Sequence, residues 1–181
     1  MSDSATPTHR RSMAMAAVGT GLVVAYAFLA ALQILVLNPL ASVPGRNLGE
    51  IHAEVEAAGE SMGVWVVIAN LLLGPAIAIT LLLLRARRRP VQPARATTVP
   101  YLALLVLGAP AYFWASFGPG MSLADTFMID GYDHSPWALP LHVTSGLALV
   151  ALVGVVVSTW LSTRRAPDTD GPVAAGLQQT P

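Results

Sequence analysis

The sequence contains neither cysteine nor lysine. Without cysteine the chain cannot form disulfides, thiolate metal sites, iron–sulfur clusters, covalent c-type haem or a nucleophilic thiol. Without lysine, every basic side chain other than histidine is arginine, and this usage in an alanine-rich chain is typical of a high-GC bacterial genome.

Charge of either sign is also scarce. Charged residues make up 11% of the 181 residues, against about 25% in soluble domains, whereas hydrophobic residues make up 54%. The net charge is zero, but the two signs are segregated along the chain. This composition predicts a protein whose largest part is solvated by lipid.

Four apolar stretches are each long enough to form a helix across about 30 Å of hydrocarbon. They contain no Asp, Glu, Lys or Arg, and Asn38-Pro39 and Gly118-Pro119-Gly120 are expected to end the first and the third. A cleaved signal peptide is disfavoured for the first, because the apolar region of a signal spans only about 7–15 residues. The predicted fold is therefore all-α, a polytopic membrane protein with a four-transmembrane-helix bundle and spans at about 13–37, 62–84, 99–117 and 137–160.

The arginines set the predicted orientation. Arg85, Arg87, Arg88 and Arg89 follow the second span without a spacer, and arginine is costly in hydrocarbon. By the positive-inside rule this cluster is cytoplasmic, as are the arginines before the first span and after the fourth. We therefore expect a multi-pass plasma-membrane protein with both termini in the cytoplasm. Lipid head groups, rather than nucleic acid, are the expected partners of the cluster.

Both ends of the chain are polar and lack helical periodicity. We expect disordered cytoplasmic tails at 1–11 and 164–181, because neither segment has enough apolar residues to offset the entropy of ordering. The membrane domain is then 12–163.

One helix is predicted outside the membrane, between the first two spans. Asn47 and Glu50 have the spacing of a capping box, in which each side chain bonds the backbone N–H of the other residue. Apolar residues that include Ile51 and Val55 then share one helical face. We expect a short extracytoplasmic amphipathic helix over about 48–58, lying at the membrane surface or against the ends of the spans.

Polar residues at membrane depth are candidates for a substrate path. Asn70 lies in the second span, one turn before the interruption at Gly74-Pro75, and broken helices frame binding sites in transporters. The alternative, hydrogen bonding between helices, is favoured for the polar groups as a set. The others at this depth are Thr20, Tyr26, Gln33, Thr144 and Ser145.

Two stripes of small residues are of the kind that lets helix backbones approach closely. We expect them to pack within the bundle rather than between two copies of the chain. They are Ala17, Gly21 and Ala25 in the first span and Gly146, Gly154 and Ser158 in the fourth.

Acidic and histidine side chains gather on the predicted outer face. His52 and Glu56 are one helical turn apart, a spacing that lets two side chains share an ion. A solvated acidic face is the simpler interpretation, and haem ligation is disfavoured because only His142 lies near a span. The candidate metal or cofactor ligands are His52, Glu56, Asp130, Asp133, His134 and His142, and no bound cofactor is predicted.

The sequence contains no nucleophile elbow, no zinc-protease motif and no phosphate-binding glycine loop, so enzymatic activity is disfavoured. The lack of charge within the spans also argues against a proton-coupled transporter. The favoured hypothesis is a non-catalytic accessory or scaffold subunit that packs on other membrane subunits. The alternatives are a small transporter or channel-like component and a metal- or haem-binding membrane protein.

Overall fold

A computed structural model describes residues 7–87 and 94–164 of the chain. Within these two ranges 85% of the residues are helical and no strand occurs. The helices are α1 (Pro7–Leu32), α2 (Asn38–Ser42), α3 (Leu48–Ala57), α4 (Val64–Arg87), α5 (Ala94–Val106), α6 (Gly108–Phe127) and α7 (Ala138–Arg164), and a π-helical turn at Gln33–Leu37 joins α1 to α2.

Four helical stretches in the described ranges are long and apolar enough to cross a membrane, which confirms the predicted number. Helix α1 begins at Pro7, so residues 7–11 are helical rather than part of a disordered tail. Proline suits a first helical position, where its missing N–H costs no hydrogen bond. Arg164, the first residue of the other predicted tail, is the last residue of α7. The rest of the predicted tails, 1–6 and 165–181, lies outside the described residues. The four helical stretches long enough to cross a membrane are Arg10–Ser42, Val64–Arg87, Ala96–Phe127 and Ala138–Arg164.

The first span does not end at Asn38-Pro39 as predicted. Pro39 has no N–H to donate to the carbonyl of Leu35, and its ring would clash with that carbonyl in a regular helix. The π-helical turn absorbs this defect, since the N–H of Asn38 donates to the carbonyl of Gln33, five residues back. The helix then resumes and ends at Ser42.

The third span is interrupted where the sequence did not predict it and continues where a stop was predicted. Pro110 cannot donate to the carbonyl of Val106, and the helix breaks at Leu107, between α5 and α6. Helix α6 then runs through Gly118-Pro119-Gly120 and ends only at Met128, which adopts a left-handed conformation with φ of 54°. The prediction of a stop at 118–120 was wrong because the following part of α6 is packed against α3, through Leu123.

The core of the bundle lies between α1, α4, α5 and α7. Helix α1 packs on α4 and α5, and α7 packs mainly on α5. Two glycines permit the closest approaches, since a Cβ on Gly19 would lie 2.6 Å from the ring of Tyr101 and one on Gly108 would lie 2.7 Å from the ring of Tyr26. These contacts tie α5 and α6 directly to the first span.

A second, smaller core forms outside the bundle. Helix α3 has the predicted capping box, in which Asn47 and Glu50 each bond the other's backbone N–H. Ile51 and Val55 of α3 are fully buried and belong to one cluster with Leu123 of α6. Of the two predicted placements, the apolar face of α3 therefore packs against the end of a long helix. Hydrophobic burial here explains why α6 continues past Pro119.

Candidate functional site

A crevice of about 170 Å³ opens between α1, α4 and the junction of α5 and α6. Its lining contains all three residues proposed from the sequence as a substrate path, Asn70, Gly74 and Pro75. Tyr26 of α1 and Gly108 of α6 lie across from them. Helix α4 runs through Gly74-Pro75 without a break, so the predicted interruption of the second span is not present, because one proline inside a long packed helix removes only one backbone hydrogen bond. The break in the third span at Leu107 lies across the crevice from Gly74.

The crevice exists because the third span breaks at Leu107 and because α4 carries a glycine at its wall. Gly74 presents no side chain, and a Cβ there would still lie 3.5 Å from Val23, in ordinary contact. Pro75 is buried, as predicted for a position whose lost helical hydrogen bond should face protein rather than lipid. Helices α4 and α5 make few contacts with each other, which leaves a space between them. Helix α1 packs on both and forms the inner wall of this space.

The rim of the crevice faces the exterior of the bundle. Leu73, Ile77 and Leu107 line it, and each is at least half exposed. The lining is apolar apart from the side chains of Asn70 and Tyr26. An apolar chain can therefore enter sideways, between α4 and the third span.

The polar side chains at this depth differ in how they are satisfied. Thr20 donates to the carbonyl of Ala78 on α4, at 3.3 Å, and the hydroxyls of Tyr26 and Ser145 lie 3.2 Å apart. These contacts agree with the favoured interpretation of hydrogen bonding between helices. Thr144 differs, because it bonds only the carbonyl of Pro140 in its own helix.

Asn70 stands apart from these groups. Its side chain is half-buried, lines the crevice and has no hydrogen-bond partner among the described residues. An amide without a partner is costly in an apolar medium, by roughly 2–7 kcal/mol depending on the reference state. Of the other polar residues predicted at this depth, Gln33 also keeps a buried Oε1 without a partner, but Gln33 does not line the crevice, whereas Asn70 does.

A network of buried polar residues holds the segment before α7 against the C-terminal end of the first span. The Asn38 side chain accepts from the backbone N–H of His134 at 2.7 Å and of Ser135 at 3.4 Å. The Gln33 amide donates to the carbonyl of Ser135 at 3.5 Å, and the hydroxyl of Ser42 lies 3.1 Å from Nδ1 of His134. The π-helical turn rotates the end of the helix so that Gln33 and Asn38 both face this segment.

Tyr112 joins the third span to the same segment. Its hydroxyl donates to Oδ1 of Asp133 at 2.6 Å, and its ring meets the ring of His142 edge-on at 5.7 Å. Neither Tyr112 nor Asn38 was identified from the sequence as a polar anchor of this segment. The available signal was the pair Asn38-Pro39, because a proline deep in a helical run forces a distortion that exposes nearby backbone and side-chain groups.

The six predicted metal or cofactor ligands do not converge. His52 and Glu56 line a separate pocket beside Trp65, and the Nε2 atom of His52 is buried without a partner. Asp133, His134 and His142 are engaged by Tyr112, Ser42 and the carbonyl of Ala138 respectively, while Asp130 is exposed. Across residues 7–87 and 94–164, no three His, Asp or Glu side chains form a group able to hold a metal ion.

The predicted lipid-facing arginines divide into two kinds. Arg85 bonds the hydroxyl of Thr97 and, at 2.6 Å, the carbonyl of Ala96, so it links the end of α4 to the start of α5. Arg87 is exposed. Arg88 and Arg89 lie outside the described residues.

Both stripes of small residues lie on the outside of the bundle, contrary to the expectation that they pack within it. Nothing lies within 4 Å of a Cβ built on Gly21, Gly146 or Gly154. The bundle instead uses Gly19 and Gly108 for its close helix approaches. The exposed positions are Ala17, Gly21 and Ala25 on α1 and Gly146, Gly154 and Ser158 on α7.

No protein-family model, curated protein or solved structure matches this chain.

Proposed function

We propose that the protein is inserted in the plasma membrane through its four long apolar helices, with both termini in the cytoplasm and α3 on the outer side. In the apolar 18-residue stretch of each long helix, only 17–28% is buried inside the bundle. The remaining apolar surface therefore needs lipid or another protein around it. Four tryptophans are more than half exposed, as expected of interfacial anchors. They are Trp65, Trp114, Trp137 and Trp160.

The inner ends of the helices support the same orientation. The guanidinium of Arg164 stacks on the ring of Trp160 at 3.6 Å, an arrangement suited to the head-group region. Arg85 and Arg87 lie in the last turn of α4, at the same side of the bundle in the proposed threading. The outer side carries the acidic helix α3, whose ion pair with Arg46 involves Glu54.

Within the membrane, we propose that the protein is a non-catalytic accessory or scaffold subunit whose spans pack on other membrane subunits. The observation that carries this proposal is the exposed stripe of Ala17, Gly21 and Ala25 on α1. Small residues four apart let a second helix approach closely, and in lipid such packing drives association of spans. The stripe on α7 offers a comparable surface, and α7 has the smallest buried share of the four stretches.

Purification from the native membrane in a mild detergent tests this role. The wild-type chain should co-purify with other membrane subunits in fixed stoichiometry, and Gly21→Leu should remove them because a bulky side chain blocks close helix approach. Gly118→Leu is a matched control, because Gly118 is also exposed with nothing within 4 Å but has no small residue four positions before it. Recovery of the wild-type chain only as a free monomer would contradict the proposal.

A further inference from the structure

We propose that the crevice between α1, α4 and the α5–α6 junction binds one phospholipid, with an acyl chain along α4 and the Asn70 amide donating to an ester carbonyl. The proposal rests on the membrane insertion proposed above. It assigns a ligand to the residues that the sequence indicated as a substrate path.

The depth of the crevice selects the kind of ligand. Asn70 lies six residues after the start of α4 at Val64, or about 9 Å along the helix, and Ile77 lies about 10 Å deeper. In a bilayer with a hydrocarbon core of about 30 Å, the crevice would therefore run from below the outer head groups toward the midplane. The molecules that reach this depth from the side are lipids.

The size of the crevice excludes a helix of another protein. A cavity of about 150 Å³ lined by aliphatic and aromatic side chains takes a molecule of the size of benzene. The crevice measures about 170 Å³ and has a similarly apolar lining. A helix about 10 Å wide does not fit, whereas a segment of an acyl chain does.

The unsatisfied amide of Asn70 is the polar group of the crevice that can bind the lipid. It lies at the outer end of the crevice, one turn from Gly74, and finds no hydrogen-bond partner in the described part of the chain. A glycerophospholipid carries ester carbonyls just below its head group, directly attached to the acyl chains. Along the bilayer normal, the ester carbonyls would therefore lie at the level of Asn70, and the acyl chain would lie along the apolar lining below it.

Photocrosslinking in nanodiscs tests the proposal. The full chain is placed in phosphatidylethanolamine and phosphatidylglycerol with a small fraction of phosphatidylethanolamine whose acyl chain carries a diazirine, and crosslinked peptides are mapped by mass spectrometry. We expect crosslinks on α4 around Gly74 and on the third span around Gly108, in addition to ordinary crosslinks on the exposed face of α7.

Three variants assign the crosslinks to the crevice. Gly74→Leu and, from the opposite wall, Ala111→Leu should fill the space and reduce the crevice crosslinks to background. Asn70→Leu should reduce them by about fivefold, the loss expected for one hydrogen bond. Gly146→Leu, on the outer face of α7, should leave them unchanged.

The outcomes separate failure of this proposal from failure of membrane insertion. Crosslinks on α7 without crosslinks in the crevice would overturn lipid binding and leave insertion intact. The absence of crosslinks from all helices would overturn insertion itself. Displacement of the crevice crosslinks by an isoprenoid quinone at equal mole fraction would overturn the assignment to a phospholipid. The assignment would also be overturned if Gly74→Leu and Ala111→Leu both elute as a single folded species and both keep the crevice crosslinks.

Discussion

The side chain of Asn38 accepts a hydrogen bond from the backbone N–H of His134 at 2.7 Å, across 96 residues of sequence. Asn38 lies directly after the π-helical turn, and His134 lies in the segment that leads into α7. One buried carbonyl oxygen thus fixes the connection between the third and fourth spans on the end of the first. The same oxygen also accepts from Ser135, so its removal leaves two N–H groups to be satisfied.

We therefore predict that Asn38→Leu lowers the free energy of unfolding by about 1–3 kcal/mol, the usual cost of leaving a buried donor unpaired. Asn38→Asp keeps an acceptor at the same place and should be less destabilising. Thermal unfolding in detergent, followed by tryptophan fluorescence, measures both. Equal melting temperatures for Asn38→Leu and the wild type would show that the contact contributes nothing to stability.

A second prediction concerns the glycines at which helices approach. Gly108→Ala should destabilise the bundle by about 1–3 kcal/mol, because the added Cβ would overlap the Tyr26 ring and force it to move. Gly146→Ala is the matched control, since its Cβ meets nothing and alanine favours the helix by up to about 1 kcal/mol. The two variants should shift the melting temperature in opposite directions, and a shift of the same sign and size would refute the close approach at Gly108.

A third prediction concerns the contact between Tyr112 and Asp133. Tyr112→Phe and Asp133→Ala should each lower stability, by roughly 1–3 kcal/mol for a hydrogen bond to a charged group. Because both variants remove the same bond, the double variant should lose clearly less than the two single losses added together. Strict additivity in this cycle, measured by chemical or thermal unfolding, would mean that the two side chains do not interact.

A fourth prediction distinguishes two arginines of the basic cluster. Arg85 reaches two acceptors at the start of α5, whereas Arg87 is exposed. Arg85→Lys should reduce stability by about 1 kcal/mol, because an ammonium cannot reproduce the two-pronged geometry of a guanidinium. Arg87→Lys keeps the charge and should be neutral. If the two variants melt at the same temperature, the link between α4 and α5 is not a stabilising one.

The number of long helices was predictable because apolar length and the absence of charge are properties of consecutive residues. The α3 capping box was predictable for the same reason, since Asn47 and Glu50 are only three residues apart. The ends of the first and third spans were not. At Pro39 a π-helical turn absorbs the defect. Beyond Pro119, packing of Leu123 on Ile51 and Val55 favours continuation of the helix over the local preference for a turn.

The site was only partly predictable. The pair Gly74-Pro75 indicated the α4 side of the crevice, although α4 is not interrupted there. The other wall depends on Gly108 and Tyr26, which are distant in sequence. The small-residue stripes were assigned to the wrong side of the helices because sequence periodicity identifies a face without saying what covers it. Likewise, His52 and His134 were predicted on the same face, but in the structure His52 lines a separate pocket and His134 lies beside Ser42.

The absence of cysteine makes the central claim of membrane threading directly measurable, because single cysteines report their own location without a background. Glu56→Cys on α3 and Arg87→Cys at the end of α4 are both exposed positions. In intact cells a membrane-impermeant maleimide should label Glu56→Cys and should label Arg87→Cys only after the membrane is opened. Labelling of Arg87→Cys in intact cells with Glu56→Cys protected would contradict the orientation, and recovery of the chain in the supernatant after ultracentrifugation would contradict insertion altogether.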